Sequence, residues 1–267
     1  LALDTSSNVA YFSNVTVGAG AIVPYKMINP LHEQKIIGLD TTTNDTFGYF
    51  VSLSGDYAIV GAPSGSAYIF TRDGTTWTQQ KIVTTDAAGD DRFGYSVSIS
   101  GEYAIVGAYF EDPGTTSDAG SAYVFKRDGT TGVWSEQAKL VANDKQQGDN
   151  FGWSVSISGD YAIVGAQNED VTGDDNRGAA YIFKREGTTW SQQQKITAID
   201  RQAQDNFGTS VSLSGDYAIV GAHNEDDGGN ASGSAYIFKR EGTTWSEQAK
   251  LVAGDAGSPD IFGISVS

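Results

Sequence analysis

Residues 151–158, Phe-Gly-Trp-Ser-Val-Ser-Ile-Ser, alternate apolar and polar side chains, the period-two signature of a strand with one buried face. Ser-Gly-Asp then turns the chain into residues 161–166, Tyr-Ala-Ile-Val-Gly-Ala, whose unbroken apolar run suits a strand covered on both faces. After a polar loop, residues 178–185 alternate again, Glu186-Gly187-Thr188-Thr189 supplies a hairpin turn, and Trp190 to Ile196 reads as a fourth strand. Four short antiparallel strands in a row make one sheet. No window places apolar residues at i, i+3, i+4 and i+7 over several turns, so the pattern predicts an all-β chain with almost no helix.

The same pattern recurs along the chain. Aspartate, four residues, aspartate, one residue and Phe-Gly occur at Asp40/Asp45 before Phe47, Asp86/Asp91 before Phe93, Asp144/Asp149 before Phe151, Asp200/Asp205 before Phe207 and Asp255/Asp260 before Phe262. In four copies Gly-Ala follows its Phe at a constant 14 residues, at Gly61, Gly107, Gly165 and Gly221. A constant core between flanks of varying length means repeated structural units. Phe-to-Phe steps of 46, 58, 56 and 55 residues are in the range of propeller blades. Glycine fixed in a strand marks a close approach of backbones, so Phe-Gly and Gly-Ala are expected near a crowded central axis. The once-per-unit Trp77, Trp134, Trp190 and Trp245 are expected to fill the gaps between blades. Trp153 differs: its position holds Tyr49, Tyr95, Thr209 and Ile264 in the other units, so the fold does not require it.

Phe-Gly, then Gly-Ala 14 residues on, then Ser-Ala-Tyr-Ile-Phe resembles the FG-GAP repeat, and residues 93–108 resemble its microbial branch closely. That family includes the head propeller of integrin alpha subunits and repeat proteins of microbes and algae. The resemblance is strong over residues 47–267 and weak over 1–46, where it rests on Val17-Gly18-Ala19, Glu33-Gln34-Lys35-Ile36 and the Asp40/Asp45 pair. It implies a β-propeller used for adhesion or protein binding. The chain is expected to be one propeller domain over 1–267, with units at 1–46 (partial), 47–92, 93–150, 151–206 and 207–261 and a closing strand at 262–267. On that reading five blades form a ring whose first blade is completed by residues 262–267. The family's common seven-bladed ring leaves the alternative that the chain is part of a larger one. A chain opening on Leu1 without Met suggests a processed or excised piece.

Composition narrows the partners. Thirty-three acidic against 17 basic residues give a net charge of −16, which argues against nucleic acid and anionic lipid and for cations or cationic partners. With no cysteine the chain has neither disulfide nor thiolate chemistry. No apolar run has the length of a membrane span, so direct membrane insertion is not expected.

In a propeller the loops from fourth to first strand and from second to third strand open on one face. The first set carries the Asp pairs, and the second carries Glu111-Asp112, Glu169-Asp170 and Glu225-Asp226. Calcium takes six to eight oxygens, so these aspartates are candidate ligands. The family's integrin-type metal loop, Asp-x-Asp-x-Asp-Gly-x-x-Asp, is not present in any stretch. The competing reading is that each aspartate accepts hydrogen bonds from turn amides. The opposite face collects Arg72, Lys126-Arg127, Lys184-Arg185 and Lys239-Arg240 beside acidic turns. That polarity suits head-to-tail stacking of rings or docking on a complementary partner, and alternatively balances the turn carboxylates in place; self-association by strand exchange would instead follow from a terminal strand at 262–267 left without partners.

The only histidines, His32 and His223, sit at non-equivalent, expectedly exposed positions, and no nucleophile pair recurs. A glycosidase needs two carboxylates, and nothing singles out one pair of the many. The chain is therefore read as no enzyme. Asn14, Asn44 and Asn230 head Asn-x-Ser/Thr triplets, the mark of a glycosylated surface protein. The functional reading is a non-catalytic module for interaction or adhesion, outside the cell or on a cell or virion surface, binding a protein or glycan, or a unit of a filament or virion appendage. The alternative is a carbohydrate-binding or carbohydrate-cleaving propeller, which needs an exposed aromatic such as Trp153 beside its acids.

Overall fold

The computed structural model describes residues 2–4, 9–11, 35–40, 45–86, 90–170 and 175–267. Two compact units divide the chain, Leu1–Ile36 and Ile37–Ser267. The first contains a hairpin of β1 (Ala2–Asp4) and β2 (Val9–Tyr11).

The second unit holds four four-stranded antiparallel sheets, each in simple sequence order. They are β3–β6 (Val51–Ser54, Tyr57–Ala62, Ser66–Asp73, Thr76–Ile82) and β7–β10 (Ser96–Ser100, Tyr103–Ala108, Ser121–Arg127, Trp134–Leu140). The third and fourth are β11–β14 (Phe151–Ser158, Tyr161–Ala166, Ala179–Glu186, Thr189–Ile196) and β15–β18 (Phe207–Ser214, Tyr217–Ala222, Ser234–Glu241, Thr244–Leu251). No helix occurs among the described residues, and these sheets are the blades the alternation predicts. Residues 262–267, expected as a closing first strand, contribute one parallel bridge, Gly233 to Phe262, and are otherwise turn and bend.

Each blade is built alike. The Phe of Phe-Gly lies edge-on against the Tyr and Phe of its third strand, as Phe93 does on Tyr123 and Phe125 with centroids 5.6 and 6.0 Å apart. The residue before that Phe is left-handed in all five copies: Thr46, Arg92, Asn150, Asn206 and Ile261. This bend brings the following glycine against the blade before it. A β-carbon on Gly152 (φ +95°) would lie 2.3 Å from the Ser121 carbonyl oxygen, and one on Gly107 would lie 2.0 Å from the Gly152 carbonyl oxygen. Two backbones therefore meet where no methyl group fits, as the fixed Phe-Gly and Gly-Ala pairs predict.

Neighbouring blades pack closely at their first strands and splay toward their fourth. Serines of one first strand accept hydrogen bonds from backbone N–H groups of the next: Ile99 to Ser52 (3.2 Å), Ile157 to Ser98 (3.2 Å) and Leu213 to Ser156 (3.1 Å). Toward the outer edge, Trp134, Trp190 and Trp245 are buried against Tyr57, Tyr103 and Tyr161 of the preceding blade. The other side of each tyrosine meets Arg127, Arg185 or Arg240, 4.5 to 5.5 Å from the ring centre. The expected gap-filling tryptophans thus act in three joints, each completed by a cation–π contact.

Candidate functional site

The loops before the first strand and after the second strand meet, as the propeller reading requires, and they meet around a lysine. Lys139 Nζ lies 2.6 Å from Asp86 and 2.7 Å from Glu111; Lys195 Nζ lies 2.7 Å from Asp144 and 2.6 Å from Glu169. Lys250 Nζ contacts Asp200, Glu225 and Asp227 at 2.7, 3.0 and 2.5 Å, and Lys81 contacts Asp40 at 2.7 Å. Tyrosine hydroxyls of the third strand donate to the same aspartates, Tyr68 to Asp40, Tyr123 to Asp86 and Tyr236 to Asp200. The buried Glu111 and Glu225 also accept from Ser121 (2.5 Å) and Ser234 (2.6 Å), while the buried Glu169 pairs with Arg201 at 2.9 Å.

Burial is the largest single influence on Asp144 and Lys195 and opposes their charges, but their hydrogen bonds and charge attractions, Lys195 with Asp144 and Glu169 and Asp144 with Lys195 and Tyr181, together outweigh it, so the aspartate titrates below its ordinary value and the lysine above its own. Asp86 with Lys139 and Asp200 with Lys250 follow the same balance. The lysines precede the aspartate of the next unit by five residues throughout, at Lys35, Lys81, Lys139, Lys195 and Lys250. That spacing is visible in the sequence, yet Lys81, Lys139, Lys195 and Lys250 each pair with the aspartate that opens their own blade rather than the one five residues on.

The second aspartate of each pair behaves differently. Asp149, Asp205 and Asp260 accept the backbone N–H three residues before them, from Gln146, Gln202 and Gly257 at 2.5 to 2.6 Å, which is the turn reading. Burial pushes Asp149 up to about 7 and Asp205 up to about 6. Asp91 is buried as well, and its carbonyl accepts from Phe110 N–H at 3.2 Å; Asp45 accepts from Ser64 at 3.0 Å. Asp112, Asp170 and Asp226 turn outward to backbone amides of their own loops, at Asp118, Asn176 and Ala231. Asp255 is exposed beside Lys250 and Asp227. Thus the two loop sets expected to share one face do so through the first aspartate and the glutamate, while Asp149, Asp205, Asp260, Asp112, Asp170 and Asp226 bind backbone amides.

Asp200, Glu225 and Asp227 also have carboxylate oxygens within 4.8 Å of one another, a grouping able to hold a cation. Lys250 Nζ bonds all three. These residues therefore do not suit calcium while the ammonium is seated among them.

On the opposite face Arg72, Arg185 and Arg240 pair with Asp56, Asp160 and Asp216 of the turns between first and second strands, and Lys126 and Arg127 pair with Glu102. Lys184 and Lys239 pair with Glu186 and Glu241. Asn230 is exposed; Asn14, Asn44 and His32 lie outside the described residues. His223, expected to be exposed, is instead half-buried, because it follows Gly221-Ala222 into the crowded inner end of its blade. Its Nδ1 is buried without a hydrogen-bond partner among the described residues, and burial lowers its pKa.

At that inner end lies a cavity of about 510 Å³ that includes Phe50, Tyr95, Trp153, Asn168, Asn206 and His223 in its lining. Trp153 packs on Tyr95 and Tyr109 at 4.9 and 4.8 Å, tilted from them by 50° and 66°. Across the cavity the side-chain amides form a directional ladder: Asn224 donates to Asn206, Asn206 to Asn168 and Asn168 to Asn150. Sequence reasoning isolated Trp153 alone, since the other positions vary from unit to unit.

A family model described as the FG-GAP repeat matches residues 31–70, 77–125, 134–183 and 190–238, well over half of the chain. The second to fourth matches each run from the fourth strand of one blade through the aspartate loop to the third strand of the next. No curated protein matches in a sequence search. FG-GAP repeats are found in adhesion and extracellular proteins.

Proposed function

The chain belongs to the FG-GAP repeat family, and on that premise we propose that it is a non-catalytic interaction module acting outside the cell, on a cell or virion surface or as a unit of a filament. The observation that carries this reading is the lysine at the centre of each acidic set. Lys139, Lys195 and Lys250 each hold carboxylates from two loops, so the acids brace the loops that project from the blades. An acid so engaged serves the shape of a surface rather than proton transfer. In the one carboxylate set among the described residues grouped closely enough to hold a cation, the Lys250 ammonium already bonds all three acids, and we read the module accordingly as calcium-independent. No helix among the described residues is long and apolar enough to cross a membrane.

Two measurements test the proposal. Purified chain should bind saturably to immobilised cell-surface extract without releasing soluble sugar or peptide from it; steady product release overturns the non-catalytic reading. Thermal melting should be the same in excess chelator and in excess calcium, because an ion bound only to the native state raises stability by RT ln(1 + [L]/Kd). A melting temperature lowered by chelator and restored by calcium overturns the ammonium assignment.

A further inference from the structure

The inner cavity is chemically unlike the rest of the molecule. The chain carries a net charge of −16, yet the residues lining this cavity are aromatic, amide, hydroxyl and aliphatic, with one imidazole that burial holds neutral. At about 510 Å³ it falls within the roughly 300–1,000 Å³ of small-molecule sites. A charged ligand would find no counter-charge in the lining. A wholly apolar one would desolvate the remaining polar edges of Asn168, Asn206 and Thr209 without replacing their hydration.

We propose that this cavity binds a neutral pyranose sugar, as a free saccharide or as the end of a glycan chain, with Trp153 as its platform. A pyranose has one face of C–H bonds and a rim of hydroxyls. The C–H face matches the electron-rich face of an indole, and the hydroxyls, each both donor and acceptor, match carboxamides. Both kinds of surface are present in this lining. Trp153 and Tyr95 form one wall, and Asn168, Asn206 and Thr209 belong to the polar part of the lining. Asn206 and Asn168 are held in register by the ladder through Asn224 and Asn150, and Thr209 Oγ1 donates to Gln167 Oε1 at 3.3 Å. Sites whose polar groups are fixed before binding lose less entropy when the ligand arrives. The tilt of Trp153 against both tyrosine neighbours leaves no parallel pair of rings to sandwich a flat base, so the wall suits a puckered ring on one side.

The repeat itself supports a ligand role for Trp153. The fourth blade, with the same joints, carries Thr209 at this position, so the indole is not needed to close a blade. The proposal rests on the interaction-module reading and names its ligand class, moving the recognition surface from the acidic loops to the inner cavity.

Isothermal titration calorimetry of the purified chain with cello-, chito-, manno- and galacto-tetraoses tests it, with galacturonate tetramer and adenosine as contrary probes. At least one neutral saccharide should bind. Trp153→Thr, which installs the residue of the fourth blade, should weaken that binding about tenfold or more while the melting temperature stays near that of the parent. Asn168→Ala should weaken it too, and serves as the second variant should Trp153→Thr fail to fold. The free monosaccharide titrated beside its tetramer shows whether a single ring or a chain end is read. Absence of binding to every neutral saccharide overturns the proposal, as does stronger binding of galacturonate or adenosine, or binding unchanged in both variants. The surface-binding assay run on Trp153→Thr separates the two readings. Retained surface binding with no saccharide affinity in the parent removes the sugar site and leaves the interaction module; saccharide affinity without surface binding does the reverse.

Discussion

The leading face of the first sheet and the same face of the second are written in nearly the same residues and live in different surroundings. Val51 and Leu53 are 65% and 72% exposed, whereas Val97 and Ile99, at the same places one unit on, are 7% and 5% exposed. Gly48 has open space where a β-carbon would stand, while Gly152 is pressed against a carbonyl. Phe50 stands where Ser96, Ser154 and Ser210 donate to the glycine carbonyl of the next blade. The far side of the array shows the matching difference. Tyr217 is exposed, although Tyr57, Tyr103 and Tyr161 each sit between a tryptophan and an arginine of the following blade. Burial in this protein therefore belongs to the joint between blades rather than to the blade, as expected of a repeat array whose stability comes from its neighbour interfaces.

That contrast is easiest to break at glycine. Gly152→Ala should cost on the order of 3 kcal/mol or more in denaturant melts, since its methyl group has no room and its φ is unfavourable. Gly48→Ala carries only the backbone penalty of about 1–2 kcal/mol, and equal losses for the two would refute the joint argument. Core truncation comes next: Ile99→Ala should lose about 2–5 kcal/mol, and Leu53→Ala should stay within about 0.5 kcal/mol.

Asp149 and Asp260 extend the comparison to pH. Both accept the same turn amide, but Asp149 is buried and Asp260 is exposed. Asp149 titrates near 7 in the folded state and lower when unfolded, so its burden on stability grows as pH rises from about 4 through 7. Asp149→Asn should raise the melting temperature at pH 8 by the equivalent of about 1–2 kcal/mol and leave it little changed at pH 4. Asp260→Asn should do neither; a similar gain there would show that the effect is net charge rather than burial. The smallest expected difference concerns arginine. Arg72 pairs only with Asp56 across exposed surface, so Arg72→Ala should change stability by less than about 0.5 kcal/mol. Arg240 pairs with Asp216 and also covers Tyr161 of the blade before it, and Arg240→Ala should cost about 1 kcal/mol.

What the sequence discloses follows from what repeats. The strands of the four sheets, the 14-residue offset and Trp134, Trp190 and Trp245 recur because every joint needs them, and these lie where the pattern places them; Trp77, with no described blade before it, is only half-buried, and residues 262–267 form a bridge, turn and bend rather than a strand. The sharing of one face by the aspartate and glutamate loops was legible for the same reason. The lysine between them was overlooked, although its spacing is constant, because a cation in a strand reads as solvated charge until the fold brings two loops over it. The inner cavity is harder to see. Its walls include positions that change along the repeat, such as Trp153 (Tyr49, Tyr95, Thr209 and Ile264 elsewhere) and His223, and periodicity is blind to whatever breaks it. Nor can alternation distinguish Val51 from Val97, since exposure there is decided by a neighbour roughly 50 residues away.

The serine contacts between first strands have a sense: the hydroxyl always belongs to the earlier blade and the amide to the later one. Such an array is a vector, with a donor end and an acceptor end that are not interchangeable. The three described joints share that contact at 3.1 to 3.2 Å, but the first lacks the serine-to-glycine-carbonyl bond of the other two, because Phe50 stands in the place of Ser96 and Ser154, so under mechanical load it is the weakest of the three.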